Sequence, residues 1–156
     1  MPMSMECEVT VNAPPAQVFA RATDLSSFGN WMAGFVRVEP LTPGPAGVGA
    51  SWREVRKMYG REAGEVFEVT AWDPPRSFAL YVDGKKGAMR RGEFRFTHTF
   101  EPVGDGTATR LRLSGEVIGM GCVGVLFGWA MKGMFRKAIQ KDLQALKGWI
   151  EGETKA

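Results

Sequence analysis

The chain has one histidine, two cysteines and two tyrosines among its 156 residues. A lone imidazole, His98, makes no metal site without partners, and no HxxxH or CxxC spacing accompanies it. No nucleophile motif stands out, and no bound cofactor or metal is expected. Cys7 and Cys122 lie far apart in the chain. A single bridge between them stays open, but two free thiols in a reducing cytosol are the expectation. Long runs of like charge are absent. Lys and Arg total 20 against 17 Asp and Glu, a net charge of +3, which excludes a nucleic-acid arm. Long apolar runs are absent too. The longest uncharged stretch, Val117 to Met131, is about 15 residues and is broken by four glycines, whereas a spanning helix needs ~20. The first residues, Met1 to Glu6, have neither a cationic nor an apolar signal region, and no Asn-x-Ser/Thr acceptor occurs. A cytoplasmic protein without stable membrane insertion is expected.

What is present is a core. Hydrophobic residues make up 44% of the chain, and a chain of this size buries roughly 68–70% of its unfolded surface. One domain over residues 1–156 follows. Glu6 to Asn12 alternates with β-branched residues and reads as a strand that Pro14 and Pro15 terminate. Pro15 suits the first position of a short helix with Val18, Phe19 and Ala22 on one face. Asp24 then caps a second short helix with Leu25, Phe28, Trp31 and Met32 as its stripe. Six further strands are expected at Val36–Leu41, Ala50–Met58, Gly64–Trp72, Phe78–Val82, around Phe94–Phe100 and around Leu111–Leu113. Asp83 to Gly87 reads as a hairpin turn. A long helix from about Cys122 to Glu151 closes the chain, with Met131, Phe135, Ala138, Ile139, Leu143, Leu146 and Ile150 as its stripe. Its first half has no charge before Lys132 and is expected to meet apolar surface all round. The order predicts an α+β fold: a curved seven-stranded antiparallel sheet wrapped around a long C-terminal helix, with two short helices between strands 1 and 2.

Several stretches carry a resemblance. Val9-Thr-Val-Asn-Ala-Pro-Pro-Ala-Gln-Val-Phe19 and Asp24-Leu-Ser-Ser-Phe-Gly-Asn-Trp-Met32 look like the opening of the START-like (SRPBCC) superfamily. Gly44 to Gly49, Val69 to Arg76, His98 to Pro102, Gly106 to Leu111 and the closing helix fit as well. The branch it resembles is the polyketide cyclase/dehydrase and lipid-transport family. The resemblance implies a helix-grip domain with an apolar cavity between sheet and C-terminal helix. Such domains serve lipid and sterol carriers, aromatase/cyclases, quinone-binding proteins and plant hormone receptors. It implies no shared catalytic set. The function it implies is binding of a small hydrophobic molecule (lipid, sterol, quinone or polyketide-like aromatic) as carrier or sensor, with a cyclase/dehydratase-type enzyme as the alternative.

Individual residues leave alternatives open. Gly119-Met-Gly-Cys-Val-Gly124 spells GxGxxG, but no parallel strand is expected after the helix, so a tight strand-to-helix turn is the simpler reading. His98 alternates with Phe94, Phe96 and Phe100 and is either a polar anchor in the cavity, an acid/base group, or a structural histidine. Glu54 and Arg56 alternate with Trp52 and Met58: if that face is inward, a buried ion pair that can orient a carboxylate, polarise a carbonyl or serve as acid/base in an enzyme; if it is outward, solvated charges. The ligand-lining set, if the aromatics frame a cavity and do not simply fill a core, is Trp31, Trp52, Phe67, Tyr81, Phe94, Phe96, His98, Phe100, Leu111, Leu113, Phe127, Met131 and Phe135. Lys132, Arg136, Lys137, Lys141 and Lys147 form a cationic row, either a solvated face or a transient contact with anionic membrane. A monomer or homodimer is expected.

Overall fold

A computed structural model describes residues 3–119 and 122–155. Strand β1 (Met3–Val11) is followed by helix α1 (Pro15–Thr23) and a 3-10 helix (Leu25–Asn30). Strands β2 (Phe35–Pro40), β3 (Ser51–Met58), β4 (Arg61–Asp73), β5 (Ser77–Asp83), β6 (Glu93–Val103) and β7 (Ala108–Ile118) come next. Helix α2 (Cys122–Lys155) ends the chain. The seven strands form one antiparallel sheet in the order β1-β7-β6-β5-β4-β3-β2. It is a meander from β2 to β7, with the first strand closing on the last. All seven expected strands are present, and among the described residues no parallel pair exists to support a dinucleotide fold.

Local chemistry explains the elements. Pro15 stands at the start of α1, where its missing N–H costs nothing, and Val18, Phe19 and Ala22 are buried as the spacing predicts. The second helix forms as a 3-10 helix and ends at Asn30, short of Met32. Asp24 caps it by accepting from the Ser26 amide at 3.0 Å, while the Ser27 hydroxyl donates to the Asp24 carbonyl at 2.7 Å. Hydroxyls competing for carbonyls favour this tight turn over a longer α-helix. Tyr59 and Gly60, both at positive φ, make the two-residue turn between β3 and β4. The connection after β5 is longer than the expected turn. It runs to Gly92 and folds back on β4, with the Ala88 amide donating to the Gly64 carbonyl at 2.9 Å.

The concave face carries the core. Phe19 of α1 meets Trp72, Phe78 and Phe100 edge-on at 5.1–5.8 Å between ring centres. Leu143, Leu146 and Ile150 of α2 press on the same layer, at 3% exposure or less. Edge strand β1 is held by α2 as well as by β7. Gln140 donates to the Glu8 carbonyl at 3.0 Å and Lys147 to the Thr10 carbonyl at 2.7 Å. Cys7 is a buried free thiol whose Sγ lies 3.6 Å from the Arg136 carbonyl, and burial raises its pKa. The side chain of Cys122 lies outside the described residues.

The first half of α2 departs from the expected all-round burial. Leu126 is 78% and Trp129 69% exposed. The C-terminal turns pack on the core, whereas the N-terminal turns bridge open volume and leave one face uncovered. Among the described residues no helix is long and apolar enough to cross a membrane.

Candidate functional site

That open volume is a cavity of about 420 Å³ between the sheet and the N-terminal half of α2. Its sheet wall comes from β1, β6 and β7 through Met5, Phe94, Phe96 and Val117. Its roof is the α2 stripe Gly124, Gly128, Lys132, Phe135 and Ile139, spaced so that one helix face looks inward. Gly115 of β7 lies in that wall. It sits between Met5 and Phe96 in the register, and a Cβ there would come within 3.3 Å of both. A residue without a side chain in mid-strand leaves space where the neighbouring strands fill theirs.

Three residues of the expected ligand-lining set, Phe94, Phe96 and Phe135, line this cavity. Phe127 lies outside the described side chains, as does Met120 of the GxGxxG stretch. Met131 is half-buried on α2 beside the lining residue Lys132. Phe100, Leu111 and Leu113 belong to the packed core, at 2%, 0% and 8% exposure. Trp52 is buried there too, stacked on Phe67 at 5.8 Å with Trp31 and Phe28 beside it. Tyr81 is turned to the convex face, because its neighbours Leu80 and Val82 take the buried side of β5. There its hydroxyl donates to the Glu93 carboxylate, which, with burial and nearby carboxylates, pushes the phenol up to about 12. Met89 and Arg91 line the cavity from the β5–β6 connection and were not singled out in the sequence.

The alternation of β3 resolves inward. Glu54 is 6% exposed, and its carboxylate accepts from Arg56 Nε at 2.8 Å. Arg56 Nη1 donates to Asp142 Oδ2 of α2 at 2.6 Å, and Asp142 Oδ1 accepts from the Ala33 amide at 3.1 Å. Burial works against the Arg56 charge, but the two carboxylates outweigh it and hold the guanidinium above its ordinary value. Arg56 and Asp142 together thus tie β3, α2 and the segment before β2. Glu65 is raised by burial, against the pull of the Met89 amide, which donates to its carboxylate at 3.0 Å. Among the described residues no three His, Cys, Asp or Glu side chains converge to hold a metal ion.

His98 stacks on Phe78 at 4.2 Å with the rings nearly parallel, and its Nδ1 is buried without a hydrogen-bond partner among the described residues. The same holds for the indole nitrogens of Trp31 and Trp52. Burial lowers the His98 pKa from 6.5 to about 3, so the ring is neutral at pH 7. Below pH 6.5 the unfolded chain takes up a proton that the folded chain refuses, so stability falls as pH falls through the window from 6.5 to about 3. Equilibrium urea unfolding should therefore show about 2 kcal/mol less stability at pH 5 than at pH 7 from this group. His98→Phe, which keeps the stack, should abolish most of that difference; an unchanged difference would place its origin elsewhere.

Comparison with known proteins bears on this arrangement. Residues 2–151 match the family model described as polyketide cyclase / dehydrase and lipid transport. The chain belongs to that family. A Mycobacterium tuberculosis relative, the uncharacterized protein Rv1546, is 27% identical over 140 residues, covering 88% of this chain and 94% of the relative. Among solved structures, the Zhui aromatase/cyclase from Streptomyces sp. R1128 superposes with a TM-score of 0.80 at 18% identity, covering 100% of this chain and 98% of that one. The protein TTHA0849 from Thermus thermophilus gives 0.75 at 18% identity, covering 97% and 99%. These likenesses establish the helix-grip fold that the family shares.

Proposed function

We propose that this protein binds a small hydrophobic molecule in the cavity between sheet and α2, as a carrier or sensor. The observation that carries the reading is the volume of about 420 Å³ walled by Met5, Phe94, Phe96, Val117, Phe135 and Ile139. Ligand sites commonly have this size and an apolar wall with a few placed polar groups. Transfer of apolar surface out of water drives affinity, and the half-exposed first part of α2 is the element that moves with least loss of packing when a ligand enters.

A cyclase or dehydratase acting on a polyketide-like substrate is the second reading. Its support is the interior polar set of His98, Trp52, Glu54 and Arg56, together with the likeness to an aromatase/cyclase. The protonation of His98 weighs against it. A base with a pKa of about 3 captures protons poorly at neutral pH, whereas the ideal catalytic value lies near the working pH. His98 also packs against Phe78 and is not among the residues that line the cavity. Arg56 is engaged by two carboxylates and has limited freedom to polarise a substrate carbonyl.

Mass spectrometry of the purified protein, native and after organic extraction, tests the primary reading. A co-purified hydrophobic molecule at near-stoichiometric amount is the expected result. An empty protein that also fails to take up an uncharged lipophilic fluorophore would overturn it.

A further inference from the structure

Among the described residues, the polar side chains that line the cavity belong to Ser4, Arg91, Lys132 and Glu116. Glu116 lies in β7 next to Gly115 and reaches Arg95 at 3.8 Å on the convex side of the sheet. Arg91 and Lys132 have no carboxylate within ion-pair distance among the described residues, and Lys132 Nζ rests 5.9 Å from the centre of the Trp129 ring. Several other surface arginines are matched: Arg76 by Asp73, Arg110 by Glu101, Arg112 by Glu8.

The segments that hold these two cations repeat the imbalance. Residues 84–92 contain Lys85, Lys86, Arg90 and Arg91 and no carboxylate of their own; the Glu65 carboxylate of β4 meets this segment at the Met89 amide, with no ion pair to Arg91 among the described residues. Residues 122–141 of α2 contain Lys132, Arg136, Lys137 and Lys141, again with no carboxylate. One segment edges the cavity from the sheet side and the other roofs it. An apolar bay whose polar edge is cationic and unmatched has the charge pattern of an amphiphile turned inside out.

We infer that the ligand is a single-chain anionic amphiphile, its tail in the apolar bay and its carboxylate or phosphate head between Arg91 and Lys132. The inference rests on the reading of this cavity as a ligand site and names the ligand's class. An anionic head buried among Phe94, Phe96 and Val117 would lose hydration without compensation, so it belongs at the cationic edge. There it keeps part of its water and gains two charge-assisted contacts. The volume fits: at ~30 Å³ for each atom-sized unit of liquid, about 420 Å³ holds about 14 non-hydrogen atoms. A twelve-carbon fatty carboxylate is of that size.

The test uses the full chain loaded with N-phenyl-1-naphthylamine, an uncharged probe, and displaces it with twelve-carbon competitors below their micelle concentrations. Dodecanoate and dodecyl phosphate carry the anionic heads, 1-dodecanol the neutral one and dodecylamine the cationic one. At least one anionic competitor should bind about tenfold more tightly than dodecanol, with dodecylamine weakest. Whichever anion wins identifies the head as carboxylate or phosphate. In the Arg91→Gln/Lys132→Gln double variant the ratio of anion to dodecanol affinity should fall to within about threefold, with circular dichroism and thermal unfolding of parent and variant as the check on folding. Lys141→Gln, away from the cavity lining, should keep the full advantage. Equal competition by the anions and dodecanol, or an advantage that survives in the double variant, would overturn the inference and leave the ligand-binding reading standing. Failure of the probe to bind the protein at all would remove both.

Discussion

Arg56→Met is expected to destabilise the protein by about 3–5 kcal/mol, the usual penalty for removing one member of a buried ion pair. At ~2–4 °C per kcal/mol for a chain of this size, the melting temperature falls by roughly 6–20 °C. The cause is what stays behind. Glu54 and Asp142, at 6% and 8% exposure, lose their shared counter-ion and remain enclosed as two like charges. The Ala33 amide still serves one Asp142 oxygen, which is far less than a guanidinium supplied. Replacing all three charged residues together, as Glu54→Gln/Arg56→Met/Asp142→Asn, should recover most of the loss, because the enclosed charges are gone. Thermal unfolding of the two variants decides the matter. A single variant as stable as the parent would show that water reaches the carboxylates and that the three residues do not act as a unit.

Gly115→Leu is expected to abolish uptake of lipophilic molecules, by a factor of about 100 or more, while leaving the fold in place. Its side chain would project into the bay between Met5 and Phe96, which are only 3.3 Å from the position of its Cβ. Met5 offers the flexible end of a methionine and gives way cheaply, while the equally close edge of the Phe96 ring has to turn toward the bay. The exchange also replaces a glycine in mid-strand by a residue that suits extended backbone, so the melting temperature should change by only a few degrees. Uptake of the neutral fluorophore, compared with the circular dichroism of parent and variant, separates occlusion from unfolding. A folded Gly115→Leu protein that loads as well as its parent would move the ligand site away from this wall.

The fold was legible because its signals are periodic. Phe94, Phe96, His98 and Phe100 alternate with polar residues, and β6 follows from that alternation alone. Leu143, Leu146 and Ile150 repeat at helical spacing, and the same residues seal the core. Periodicity assigns residues to two faces without saying which face turns inward. That is why Glu54 and Arg56 stayed undecided until Asp142, 86 positions beyond Arg56, supplied the partner. In β5 the near-continuous run of Phe78 to Val82 hides the alternation, so the outward turn of Tyr81 had no visible signal.

The cavity was harder to read for a different reason. The same aromatic types build core and pocket, so Trp52 and Phe100 read no differently from Phe94 and Phe96. What separates them is missing volume at Gly115, Gly124 and Gly128, and a missing side chain leaves little trace in a hydrophobic pattern. Arg91 and Met89 come from an irregular connection with no period at all. The exposed Leu126 and Trp129 show the complementary limit: an uncharged helical run is compatible with enclosure on all sides and also with one bare face.

The closing of the first strand on the last sets a schedule for the chain as it is made. Val11 pairs with Thr109, so roughly 100 residues separate β1 from the strand it pairs with. At ribosomal speeds of ~5–20 residues per second, β1 waits roughly 5–20 s for β7 to appear. Through that interval its Cys7, Val9 and Val11 face has nowhere to go, and both its edges invite pairing with another nascent chain. Glu6 and Glu8 alternate with that face and lend a repulsive charge to any like strand laid alongside. Only when α2 emerges do Gln140 and Lys147 reach the carbonyls of Glu8 and Thr10. The strand that is synthesised first is therefore the last to be sealed.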